Sequence, residues 1–217
     1  MKLSTNYEEH VSIVKKLQYD ESFYSVREPF KNDFQKIYND AKEKGITLSN
    51  AKEYLNSLTK EELCTLQNYT RLADEIDVNH LNDEGAYNLL LEHYEKFDFN
   101  NDGFIENGIA KSFSIIPSHF SNDEKKALVD TFNSMDSTKM LSMSILLMPP
   151  IKIVNNEYIP DIKNLSFMDI ENRANKILDP INEKNTTKEF RDNVRFFLEE
   201  LINNYNKIQE QKSYYKL

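Results

Sequence analysis

Asp98, Asn100 and Asp102 stand at alternate positions in the stretch DFNNDGFIENGI, each offering a side-chain oxygen, and Gly103 follows at once. Oxygen donors in that alternation, ahead of a residue free to turn sharply, can converge on one hard cation, and calcium is the ion such a set suits. Phe104 adds a main-chain carbonyl just past the turn and Glu106 a further carboxylate. Asp98, Asn100, Asp102, Phe104 and Glu106 are therefore the candidate metal ligands, with Ca2+ as the candidate ion. The chain has only four glycines, and two of them, Gly103 and Gly108, fall in this window. Its last position is Ile109. An ion there would lack a closing bidentate carboxylate, so weak binding is expected, with dissociation on the order of 1 mM.

A loop of this kind needs rigid flanks. In the approach DEGAYNLLLEHYEKF, the residues Tyr87, Leu90, Leu91, Tyr94 and Phe97 recur at spacings of three and four, which predicts an amphipathic helix ending where the loop begins. A short exit helix through Ala110 and Phe113, closed by Pro117, is expected on the other side. The stretch from about residue 83 to 116 resembles the EF-hand family. That resemblance implies a helix-loop-helix, with loop 98–109 offering calcium its ligands, and it departs from the family at Ile109, where a Glu should stand. It leaves the other four-fifths of the chain unaddressed.

Composition bounds the rest. The chain has 217 residues, 39% of them hydrophobic and 12% aromatic, with six prolines and no tryptophan. That is enough for a core, and it points to a mainly α protein rather than a barrel or sandwich. A formal charge of −9 repels phosphate backbones and anionic lipid, so neither nucleic acid nor a membrane surface is an expected partner. Cys64 is alone, which excludes a disulfide framework and a paired-cysteine metal motif. The start turns acidic at Glu8 and Glu9 without an apolar run, so no cleavable signal is expected and the cytoplasm is the predicted location.

Residues 1–27 read as a polar N-terminal segment with, at best, a short helix around Val11, Val14 and Leu17. Residues 28–150 read as a helical domain. Pro29 opens a helix whose face is Phe30, Phe34, Ile37, Tyr38 and Ala41, and Gly45 ends it. Ser49 caps a helix through Leu58, Thr59 with Glu62 boxes the next through Ile76, and Ser121 with Glu124 boxes another. Cys64 is read as a core or boundary thiol. Residues 151–162 alternate apolar and polar, which predicts a small β or extended element. From about Thr187 to Gln209 a long helix repeats Phe190, Val194, Phe197, Leu198, Leu201, Ile202, Tyr205 and Ile208, and residues 151–217 are expected to pack on the same domain.

Calcium loops of this type usually come in pairs. Asp136, thirty-eight residues after Asp98, opens the stretch that would hold a second, non-binding loop. Met135, Met140, Met143 and Met148 cluster there, either as adaptable core or as a surface for a partner protein. His10, His80, His93 and His119 are scattered, and no nucleophile or phosphate-binding motif is present. The chain therefore reads as a non-enzymatic helical protein acting through protein–protein interaction, by the Met135–Met148 region or the C-terminal helix. The alternatives are an enzyme assembled from remote residues and a secreted effector or adaptor using that last helix.

Overall fold

A computed structural model describes residues 5–161 and 165–214, the side chains of residues 5, 157 and 158 excepted. The chain is mainly α, with two small two-stranded antiparallel sheets among the described residues. It divides into two compact units, the first from Tyr19 to Ser114, the second from Thr5–Gln18 together with the chain from Ile115 onward. The break therefore falls after residue 114, away from the expected boundaries at 28 and 151. The supposedly separate polar segment is shared out. Helix α1 (Thr5–Val14) buries Tyr7, His10 and Ile13 within the second unit, and α2 (Glu21–Ser25) belongs to the first.

In the first unit, α3 (Glu28–Glu43) follows the expected stripe, burying Phe34, Ile37, Tyr38 and Ala41, and Gly45 at φ +63 ends it. Asn50, not Ser49, precedes α4 (Ala51–Ser57), and Asn50 Oδ1 accepts from the Thr47 amide at 2.6 Å. Helix α5 (Lys60–Thr70) carries the Thr59–Glu62 capping box but ends at Thr70, six residues before the expected end, with Arg71 capping it in the left-handed region. Leu66 is buried on it, Phe34 stacks on Tyr69 at 3.8 Å, and Cys64 is exposed rather than in the core.

Helix α6 spans only Asp83–Asn88, where a helix to Phe97 was expected. Leu89, Leu90 and Leu91 are all buried. Successive residues on a helix point about 100° apart, so no single helical face could bury all three. The chain leaves the helix and buries them from an irregular turn. The hydroxyls of Tyr69 and Tyr38 then donate to Glu92 (2.8 Å) and Glu95 (2.9 Å), fixing this turn against α5 and α3.

In the second unit, α7 (Asn122–Asn133) is boxed by Ser121 and Glu124 and buries Leu128, Val129 and Phe132. Asp136 caps α8 (Ser137–Ser144), accepting from the Lys139 amide at 2.9 Å, so the expected second loop is a helix N-terminus. Strands β3 (Ile151–Val154) and β4 (Glu157–Pro160) confirm the small β element. Helix α9 (Phe167–Leu178) precedes the long α10 (Lys188–Tyr214), which buries Val194, Phe197, Leu198 and Leu201 against α7 and α9. The Arg191 guanidinium donates to the Ile177 and Leu178 carbonyls, each at 2.8 Å, closing the C-terminus of α9. No helix among the described residues is long and apolar enough to cross a membrane.

Candidate functional site

The stretch from Asp98 to Phe104 folds as the alternation predicts, into a loop stitched by its own side chains. Asp98 Oδ1 accepts from the Asp102 amide at 3.1 Å and its Oδ2 from the Gly103 amide at 2.9 Å. Asn100 Oδ1 accepts from Asp102 N at 2.8 Å, and Asp102 Oδ1 from Phe104 N at 2.9 Å. Asn101 (φ +59) and Gly103 (φ +95) supply the left-handed turns that let three oxygens face inward. Burial pushes Asp98 up from the usual carboxylate range, against the pull of the Gly103 amide. Each oxygen spent on an amide retains a second lone pair.

Beyond the loop, the chain departs from the helix-loop-helix expected there. Strand β1 (Ile105–Asn107) pairs antiparallel with β2 (Ala110–Ser112), replacing the exit helix by a hairpin. The two-residue turn Gly108–Ile109 joins them, with Gly108 at φ +63. Ile109 is 58% exposed at that tip. Three strand residues carry it roughly 10 Å past the loop, so a carboxylate there would face solvent rather than the ion.

The loop is held from α6 by two side chains that spacing arguments did not single out. Glu84 accepts from Phe99 N (2.7 Å) and Asn100 N (3.0 Å) through Oε2, and from Glu106 N (3.0 Å) through Oε1. Asn88, fully buried, donates to the carbonyls of Phe97 (3.0 Å) and Glu106 (2.7 Å) and accepts from Phe97 N at 3.2 Å. These two residues are four apart, one above the other on α6, so one helix face clasps both ends of the loop. Lys96 Nζ adds a bond to Asn107 Oδ1 at 2.7 Å. Gly85, between them, lets the hairpin cross the helix: its carbonyl accepts from Gly108 N at 3.0 Å.

Glu84 and Glu106 form a buried carboxyl pair on α6 and β1. Burial first, then the hydrogen bond to Glu106, pushes Glu84 up to about 8, while its amide donors pull the other way. Burial also acts to raise Glu106, but its bonds with Glu84 and Lys111 outweigh that and leave it below the usual range. The pair therefore keeps one proton at neutral pH. Glu84 also lines a cleft of about 280 Å³ with Leu48, Asn82, Asp83, Phe99 and Asn100. Both of its oxygens are engaged with backbone amides, which makes it a structural anchor more than a free acid.

The structure thus brings all five expected ligands into one loop and its following strand, but not into a closed cage. No group of three or more His, Cys, Asp or Glu among the described residues is placed to hold a metal ion. The signals that could have revealed this arrangement were Asn107–Gly108, a hairpin dipeptide, and Gly85, with no helical reason to be glycine. Two of the histidines serve packing: burial pushes His93, ringed by Tyr19, Phe23 and Tyr94, down to about 4, and His10 likewise. No protein family matches this chain, and no curated protein or solved structure is significantly similar to it.

Proposed function

We propose that this protein is a non-enzymatic binding protein that engages a partner protein through an apolar face of its second unit. The observation that carries this is the row Leu141, Ile145 and Met148, with Ile151 and Ile153 on the strand that follows, all exposed, Leu141 73% accessible and Ile153 67%. The first three recur at four and three residues along α8 and the 3-10 turn Ile145–Leu147, opposite the buried Met140, Met143 and Leu147. Two of the clustered methionines thus fill the core while their neighbours form the outward stripe. On β3, Ile151 and Ile153 point to one side by the two-residue period. Large apolar side chains exposed in series along a helix and along a strand are what monomeric proteins avoid unless something covers them.

The partner this surface suits is a protein with an apolar patch and a basic rim, because the net charge of −9 steers cationic partners toward the chain and repels acidic ones. In this reading the protein acts in the cytoplasm, and the loop at Asp98–Phe104 is a structural clasp. Its similarity to an EF-hand is confined to the turn itself, and calcium is a weak ligand of Asp98, Asn100, Asp102, the Phe104 carbonyl and Glu106. The test pairs Leu141→Asp with Ile153→Asp in affinity capture from the source cell, followed by binding measurements with the purified captured protein. Loss of binding by tenfold or more, with melting temperature unchanged, is expected. Binding untouched by both changes would remove the reading.

A further inference from the structure

Strands β3 and β4 fold as a hairpin of their own, and no further strand joins them among the described residues. The turn between them, Asn155–Asn156, is left-handed at both residues (φ +53 and +65), the form whose twist suits a two-residue hairpin. In an antiparallel pair, opposed residues alternate between those that exchange main-chain bonds and those that turn these groups outward. The Asp161 amide donates to the Pro150 carbonyl at 2.6 Å, so by that alternation the inward bonds fall at Lys152 with Ile159 and at Val154 with Glu157. The N–H and C=O of Ile151 and Ile153 therefore point away from β4. On the far side, the outward groups of β4 belong to Tyr158 and Pro160, and Pro160 is buried and has no N–H to give. One edge of the hairpin is thus closed to a further strand and the other is open, with all four residues of β3 exposed.

We propose that the outer edge of β3 receives an extended segment of the partner protein as a third, antiparallel strand, bonded to the main-chain groups of Ile151 and Ile153, with apolar side chains beside these two and an acidic one beside Lys152. This rests on the apolar-face reading of the second unit and names the form in which the partner arrives. Main-chain groups turned outward at every second residue match the repeat of another strand, whose alternate side chains then meet Ile151 and Ile153 on one face. Lys152 decides between occupants. Two β3 strands paired antiparallel over their full length would set Ile151 opposite Ile153 and Lys152 opposite Lys152, and like charges directly opposed repel. A second copy of the chain is therefore the poorer occupant. The Lys152 side chain is 58% exposed beside Asp161, so an acidic residue of an incoming strand can reach it. Basic residues on either side of that acidic one answer the net charge of −9.

The test adds a synthetic end-capped peptide, Lys-Thr-Val-Glu-Val-Thr-Lys, to the full chain at up to about 1 mM and follows amide hydrogen exchange. Exchange at the Ile151 and Ile153 amides should slow by about tenfold, while Lys152 and Val154, already bonded within the hairpin, change little. Methylating both Val amides of the peptide should abolish this protection, and methylating its Glu amide should not, because only the Val groups face β3. Replacing the central Glu by Lys should weaken binding by roughly threefold or more. Absence of protection at about 1 mM peptide overturns the proposal, as does equal binding by the peptide methylated at Val. Protection of the same two amides without peptide, growing with protein concentration, overturns it in favour of a second copy. Partner binding lost in Leu141→Asp without any protection by the peptide leaves the apolar face standing and removes only the third strand.

Discussion

Replacing Gly85 by alanine sets two physical expectations against each other. Gly85 lies inside α6, where alanine is intrinsically better than glycine by about 1 kcal/mol, so local propensity alone predicts a more stable protein. The tertiary structure predicts the reverse. A Cβ on Gly85 would stand 2.2 Å from the Gly108 carbonyl oxygen, 1.2 Å inside the 3.4 Å at which ordinary contact begins, and 3.0 Å from Asn82 Oδ1. The obstacle is backbone in a tight turn, not the end of a side chain that can move aside. Opening the gap by that much stretches the 3.0 Å bond from Gly108 N to the Gly85 carbonyl beyond use. It also strains the bonds from Glu84 and Asn88 to Glu106, which join the same helix to the same strand. Overpacking of about 1–3 kcal/mol, plus roughly 1 kcal/mol for the bond lost, less the propensity gain, leaves a net loss of about 1–3 kcal/mol. For a unit of this size that is a fall in melting temperature of roughly 4 °C or more. Urea and thermal unfolding would measure it, with hydrogen exchange at the Gly108 amide reporting whether the crossing itself has opened. A Gly85→Ala protein as stable as the wild type, with Gly108 still protected, would refute the claimed close crossing of hairpin and helix.

Asn88→Ala removes an amide that satisfies three main-chain groups in a fully buried setting, and should cost about 2–3 kcal/mol with loss of exchange protection at the Phe97 amide. The raised Glu84 sets a pH dependence. Its folded value of about 8 lies above the unfolded 4.5, so the folded state holds the extra proton between them and the contribution of this group falls as pH rises toward 8. His10 and His93, pushed down to about 4 from 6.5, act oppositely and only below pH 6.5, where acid costs stability. Between pH 6.5 and 8 the stability gap between the wild type and Glu84→Gln should therefore narrow by about 1–2 kcal/mol, and a gap constant across that range would show that Glu84 is already ionised.

Local rules carried much of this protein. The Thr59–Glu62 and Ser121–Glu124 boxes, the stripe of α3 ended by Gly45, and the repeat of α10 are set by residues within a few positions of one another, so each formed as expected. The turn from Asp98 to Phe104 is local in the same sense, since its oxygens bond amides two to five residues away. The flanks of that turn were decided elsewhere. Leu90, Leu91, Tyr94 and Phe97 fit a helical period, yet α6 stops at Asn88 because three consecutive leucines bury together and Asn88 bonds the chain at Phe97 and Glu106. Glu84 meets Glu106 across twenty-two residues, and no spacing rule reaches that far. Whether a buried carboxylate binds an ion, shares a proton or accepts a lysine depends on which strand returns beside it. Pairing of β1 with β2 brings Lys111 opposite Glu106, through a ladder register that exists only once the hairpin has folded.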